Sequence, residues 1–373
     1  VETSQNAEPK ALSKSHNPWA AAYESAFMKA CRREKTEYTP IWLMRQAGRY
    51  QASYRAIREN VSFLELCKNP KLASQVTVQA VEDLQCDAAI IFADILLLLE
   101  PLGAGLEFAK GDGPVIHNPV KLADDVKRLR SYSTASEIGY VMDAIKLTRN
   151  QLPEHIPLIG FSGAPFTLAS YLLEGGASKN FEKTKVFMYK NQEAFSSLMT
   201  LLSDLIIEYL LAQAASGAQA VQLFDSWVGC LSQSDYELFV QPHMVRIISA
   251  VQTGHKASNL DGAHLPVIHF GTSTAHLLPN LAAAKSDVIG LDWRLPLNKG
   301  WDIIGTDFAV QGNLDPVVLF APQAEIKKRV QLILDQAKGR NGHIFNLGHG
   351  ILPGTPVENV KYLIEIVHEY SRA

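Results

Sequence analysis

At 373 residues, 47% hydrophobic and 20% charged, the chain has the make-up of a globular enzyme. It is long enough for one large α/β domain or two smaller ones. A net charge of −3 offers no global attraction for nucleic acid or an anionic membrane, so any anionic ligand has to be drawn in by local cations. The four cysteines, Cys31, Cys67, Cys86 and Cys230, form no Cys-x-x-Cys pair and are too sparse for a disulfide scaffold, which points to a reducing compartment. Cytoplasmic residence is the expectation; the chain begins at Val1, so an organelle stays open.

Residues 1–17 are polar, mixed in charge and unlike a signal or transit peptide, and are expected to be flexible. From 18 to 34, Trp19, Tyr23, Phe27 and Cys31 recur at helical spacing. Thr39 to Met44 is apolar and reads as a first strand. Asn69-Pro70 opens a helix, Asn as its cap and Pro in its first turn, with Leu72, Val76, Ala80 and Leu84 as the buried stripe. Ala88 to Asp94 reads as a second strand, almost wholly apolar as a strand covered on both faces should be. The most apolar window, Ala88 to Leu99, is interrupted by Asp94 and too short to span a bilayer, so no membrane insertion is expected. Leu96 to Val120, rich in Gly and Pro, is expected to form a hairpin or a long loop.

A helix is expected around 135–150, then a third strand at Pro157–Phe161 and a long helix from Asn191 to Ala215 that Gly217 ends. Ala220–Phe224 is the fourth strand and 234–253 the next helix. Val267–Phe270 is the fifth strand, followed by a short helix near 275–284. Val288–Asp292 and Phe308–Gly312 are the sixth and seventh strands. A helix at 323–337 leads to the eighth strand, His343–Leu347. Thr355-Pro356-Val357-Glu358 reads as a capping box at the start of the last helix.

Eight strand-then-helix units predict a single-domain (β/α)8 barrel over 18–373 with an N-terminal extension. An open doubly wound sheet is the alternative, but its Gly-x-Gly-x-x-Gly phosphate turn is absent. The chain exceeds a minimal barrel by roughly 100 residues, assigned to the N-terminal extension and to the loops after strands two and three.

A barrel enzyme carries its chemistry at the carboxyl ends of its strands. Strand one ends in Met44-Arg45-Gln46-Ala47-Gly48-Arg49-Tyr50, with Arg55 and Arg58 following. Two guanidinium forks around small residues suit a carboxylate or phosphate clamp, though taken alone the motif would be a solvated turn paired with nearby acids. Strand two ends in Asp94, a helix cap, a buried ion-pair partner or a functional acid. Strand three leads to Ser162-Gly163-Ala164-Pro165 and on to Tyr171, which alone would be a core residue. Strand four ends in Asp225-Ser226-Trp227, where Ser226 could cap a helix. Strand eight ends in Gly348-His349-Gly350, and a core histidine rarely needs flanks without side chains. His269 reads as a satisfied barrel residue, and Phe92, Phe161 and Phe224 as barrel packing.

Met44-Arg-Gln-Ala-Gly-Arg-Tyr50, Phe92-Ala-Asp-Ile95, Gly160-Phe-Ser-Gly-Ala-Pro-Phe-Thr-Leu168, Phe224-Asp-Ser226 and Asn346-Leu-Gly-His-Gly350 together resemble the ordered signature blocks of the uroporphyrinogen decarboxylase family, from about residue 38 to the C-terminus. The resemblance implies a (β/α)8 barrel, usually a homodimer, that uses no metal or organic cofactor. It implies that four acetate carboxyl groups are removed from uroporphyrinogen to give coproporphyrinogen. It makes Arg45, Arg49 and Arg58 carboxylate binders, has Gln46, Ala47 and Gly48 supply backbone contacts, sets Asp94 against the pyrrole N–H groups, and has Tyr171, Ser226 and His349 line the pocket. Gln51-Ala52-Ser53 departs from the Leu-Pro-Glu common after the arginine motif. A corrinoid-linked methyltransferase on a related barrel is the alternative, but its zinc-binding His-x-Cys pair is absent here. A non-catalytic tetrapyrrole binder is the other; loss of Arg45, Asp94 or Tyr171 would mark it, and all three are present.

Overall fold

The computed structural model describes residues 19–109, 113–258 and 263–372. The expected flexibility of residues 1–17 lies outside the described residues. The central sheet has seven parallel strands: β1 (Ala89–Ile90), β4 (Leu158–Gly163), β5 (Ala220–Asp225), β6 (Val267–Gly271), β7 (Val288–Gly290), β8 (Ala309–Gln311) and β9 (His343–Ile344). They lie side by side in chain order, β1-β4-β5-β6-β7-β8-β9. The predicted first strand contracts to Ile41, which closes the ring. Ile41 bridges Phe345 in parallel on one side, and its carbonyl accepts from the Asp87 N–H on the other. The result is the expected barrel, with its eighth position occupied by a bridge. Between β1 and β4 in the chain, β2 (Leu106–Ala109) and β3 (Gly113–Ile116) make the expected antiparallel hairpin. Val115 bridges Gly176 beside the end of the helix Pro165–Glu174.

In the barrel interior Trp42, Met44, Ile159, Ala220, Ile268, Phe270, Val288, Ala309 and Ile344 form one apolar cluster, crossed by a buried polar chain in which Trp42 Nε1 donates to Gln311 Oε1 at 2.9 Å and Gln311 Nε2 to Gln222 Oε1 at 3.1 Å. The helical pattern near the N-terminus resolves into two short helices, Ala20–Tyr23 and Ala26–Cys31. The second adds Phe27, Met28, Ala30 and Cys31 to that cluster, so it plugs the barrel from the end opposite the strand carboxyl termini. Phe161 and Phe224 pack edge to face, as expected, but Phe92 does not belong to the barrel interior. It sits against Tyr54 and Phe63, outside the strands.

The helix Pro70–Leu84 begins as read, with Asn69 Oδ1 accepting from the Lys71 and Leu72 N–H groups. The capping box at residue 355 does not form. The last helix starts at Val357, its cap position is Pro356, and the buried Thr355 Oγ1 has no partner. A proline at that position holds the chain extended one residue past the threonine, out of reach of the first-turn amides. The helix Gln192–Ala215 is long and apolar enough to cross a membrane by length and composition. Its apolarity has another cause: Phe195, Leu198, Leu202, Ile206 and Tyr209 are buried against β4 and the neighbouring helices.

Candidate active site

The ends of the first and last strand segments are tied together by side-chain and backbone bonds. Asn346 Oδ1 accepts from the Met44 N–H at 3.1 Å and the Leu347 N–H at 2.8 Å. The Ile351 N–H returns a bond to the Met44 carbonyl at 3.0 Å. This brings Arg45 beside Gly348-His349-Gly350. A Cβ at Gly350 would lie 2.5 Å from Arg45 Cδ, so the glycine leaves room for the arginine stem. Arg45 itself adopts a left-handed backbone (φ 62°), which costs about 1 kcal/mol in a non-glycine residue.

Asp94 follows β1 and holds a turn with one oxygen; among the described residues it forms no ion pair within 4 Å. Its Oδ1 accepts from the Leu96 N–H at 2.9 Å, starting the short turn Leu97–Leu99. Its Oδ2 has no protein partner among the described residues. Burial pushes its carboxyl from the ordinary 3.8 up to about 6, against the opposing pull of the Leu96 N–H and the Arg45 charge. The Tyr171 hydroxyl is raised by burial first and by the Asp94 charge second, while Arg45 lowers it, so it stays neutral. His349 is lowered by burial and then by Arg45; it is a neutral imidazole at pH 7 in the free protein. The Arg45 charge thus reaches Asp94, Tyr171 and His349, which sets the four at one rim.

Tyr171 is oriented by stacking on Trp227, with ring centroids 3.8 Å apart at 28°, and Phe181 also packs against the indole. Trp227 is held in turn by Thr167, whose Oγ1 accepts from the Trp227 N–H at 3.3 Å and donates to Asp225 Oδ1 at 3.1 Å. Ser226 lies beside this stack, half-buried, and it caps no helix: its carbonyl accepts from Thr272 Oγ1. His269 is buried but not satisfied as expected. Neither ring nitrogen has a hydrogen-bond partner, and Nε2 lies 3.7 Å from the orphaned Asp225 Oδ2. It shares a register position with Leu223, on the sheet face turned to the helices, and Asp225 on the neighbouring strand stops short of hydrogen-bond distance.

The other arginine-loop residues are arranged differently. Gln46 is fully buried; its Nε2 donates to the Ala88 carbonyl at 3.3 Å, and its own carbonyl accepts from Tyr50 Oη at 2.6 Å. The Gly48 N–H donates to Gln51 Oε1 at 3.2 Å, so the departure at Gln51 stiffens this loop. The Ala47 N–H is left open among the described residues. Arg49 is exposed, and its charge reaches Tyr54. Arg58 donates to the Val61 carbonyl and lies over the Phe63 ring at 5.8 Å. Arg55 is committed to the Arg49 and Tyr50 carbonyls at 2.8 and 2.9 Å. A cleft of about 870 Å³ bearing Lys68, Lys71 and Lys146 lies elsewhere and is lined by none of these candidates.

The end of the sixth strand carries a polar group that no sequence motif marks. Asp292 is buried and accepts from the Ser273 N–H, from the Arg294 N–H at 3.0 Å and from Arg294 Nη1 at 2.7 Å. The backbone of Trp293 occupies the space a Cβ at Gly348 would need. Among the described residues no group of three or more His, Cys, Asp or Glu side chains is arranged to hold a metal ion.

The family model described as uroporphyrinogen decarboxylase matches residues 23–370. The chain is 54% identical to the uroporphyrinogen decarboxylase of Carboxydothermus hydrogenoformans, over 92% of this chain and 96% of that protein. It is 53% identical to that of Sorangium cellulosum, over 93% and 97%. Among solved structures a methyltransferase from Methanosarcina mazei superposes with a TM-score of 0.72 over 93% of this chain and 99% of the other; at 19% identity this speaks for the barrel alone. A match that runs through the whole barrel, together with relatives that share half its residues, places the chain in the uroporphyrinogen decarboxylase family.

Proposed function

We propose that the protein converts uroporphyrinogen III to coproporphyrinogen III by removing the carboxyl groups of four acetate arms, as part of haem-type tetrapyrrole synthesis. The observation that carries this reading is the meeting, at the mouth of a family-matched barrel, of a buried acid with one open oxygen, a cation, a phenol and a neutral imidazole.

Each acetate carboxylate is one carbon from a pyrrole ring. Protonation of the ring carbon makes an iminium-like cation, which accepts the electron pair left when the C–C bond breaks and CO₂ departs. Protonation of the resulting methylene and loss of the ring proton then give the methyl group. The net change is one proton taken up and one CO₂ released per arm, with no external electron sink. The open Oδ2 of Asp94 is set to accept from the pyrrole N–H groups and to stabilise the cation once ionised, in a site where water screens little. Arg45 and Arg49 bind carboxylate arms and orient the reacting one. His349, kept neutral, donates a hydrogen bond to an arm, and the open Ala47 N–H offers another donor. Tyr171 and Ser226 line the wall, and Arg58 acts from the loop beneath.

We extend the proposal to a homodimer, the usual state in the family, whose barrel from residue 18 onward is one catalytic domain, and to cytoplasmic residence, which the four free cysteines suit. The test is anaerobic incubation of the purified protein with uroporphyrinogen III. The expected result is stepwise loss of four carboxyl groups to coproporphyrinogen; binding without CO₂ release would reduce the protein to a tetrapyrrole carrier.

A further inference from the structure

We propose that Arg294 is an additional carboxylate-binding residue of this mouth, seating one acidic arm of the tetrapyrrole beside His349; the inference rests on the proposed decarboxylase activity. A macrocycle with eight carboxylates needs more cations than the first loop supplies. Arg55 commits its Nη1 to the Arg49 and Tyr50 carbonyls and Arg58 its Nη1 to the Val61 carbonyl, so both forks are turned in part to their own loop. The end of the sixth strand supplies another.

Arg294 is built as a binding fork. Its Nη1 donates to Asp292 Oδ2 at 2.7 Å, and its guanidinium lies over the Trp293 ring at 4.1 Å. The two contacts fix the plane of the fork and leave its remaining donors without a partner among the described residues. The pair is lopsided in exposure: the Asp292 side chain is 4% accessible and that of Arg294 is 47%, so the open side of the pair is the cationic one. The loop beneath is rigid. Asn313 Nδ2 donates to the Asp292 and Leu295 carbonyls at 2.9 and 2.7 Å, and Asp292 also holds the Ser273 N–H. The missing side chain of Gly348 lets Trp293 close against the segment that carries His349. Arg294 is near enough to that imidazole to be one of the cations that disfavour its protonation. A planar, oriented fork with free donors is what a carboxylate arm requires.

Two variants, R294Q and R294K, test this. In R294Q the KM for uroporphyrinogen III should rise about tenfold, the loss of one charge-assisted bond, with kcat within about twofold. R294K should recover part of that loss, since a lysine restores the charge but neither the stack nor the pairing geometry. The same order should appear in fluorescence titrations with oxidised uroporphyrin, which is not turned over. Unchanged KM and uroporphyrin affinity in R294Q would overturn the inference, as would an R294K as impaired as R294Q, which would assign the arginine to loop structure. Wild-type protein that binds uroporphyrin through Arg294 but releases no CO₂ would sink the proposed activity alone. Wild-type turnover with an unaffected R294Q would sink only the inference.

Discussion

Two glycines flank His349, and each makes room for something different. A methyl at Gly350 meets the flexible stem of Arg45, which can swing aside. A methyl at Gly348 lands on the backbone nitrogen of Trp293, which cannot. Gly350→Ala should therefore keep fold stability within about 0.5 kcal/mol while displacing Arg45 and raising KM several-fold. Gly348→Ala should cost about 1–3 kcal/mol, seen as a lower unfolding midpoint. Measuring melts and KM for both variants separates the roles; a matched loss of stability in the two would contradict the assignment. At this scale the sequence is legible where a residue stands out from its surroundings: Asp94 after an apolar run, His349 between glycines, two arginines around Ala47-Gly48. It is silent where a role depends on distant partners. The bond from Thr167 to Asp225 joins residues 58 apart, and nothing local announces that it sets Trp227 and so Tyr171. Arg294 escapes notice because it follows its strand without a glycine or a second arginine to mark it.

Among the elements, the order of strands and helices is readable and the strand lengths are not. Apolar runs report burial, and buried segments of this chain extend beyond the ladder. Leu97–Leu99 are fully buried in a short helical turn, and Thr39–Met44 contributes a single bridge. Closure at that bridge depends on Asp87. Its Oδ2 accepts from the Ile41 N–H and from His368 Nε2, each at 2.7 Å, and its Oδ1 accepts from Tyr38 Oη at 3.0 Å. One carboxylate thus ties the first segment to the last helix, Val357–Ser371. Asp87→Ala should destabilise the fold by about 2–3 kcal/mol, because it strands a buried backbone donor and frees two side chains. Urea unfolding would show a lower midpoint at unchanged slope; an unchanged midpoint would mean that the ring is held elsewhere.

Across the whole molecule, a chain with a net charge of −3 gathers positive charge at one rim and sets a buried acid, Asp94, among it. That acid is held at a cost to the fold. The folded carboxyl titrates near 6 and the unfolded one near 3.8, so between those values the native state binds more protons and stability falls as pH rises. Above pH 6 the full cost, on the order of 2 kcal/mol after allowance for partial exposure, is present. The proposed mechanism needs the ionised form, so kcat/KM should fall as pH drops through about 6. The decisive measurement is the pH profile of turnover and stability for Asp94→Asn. The account predicts a kcat at least tenfold lower, reflecting about 2–4 kcal/mol of lost charge stabilisation, with uroporphyrin still bound. It also predicts no acid limb near pH 6 and a fold that gains on wild type as pH rises from about 3.8, with the full difference reached above about 6. Near-normal turnover with the acid limb intact would contradict it.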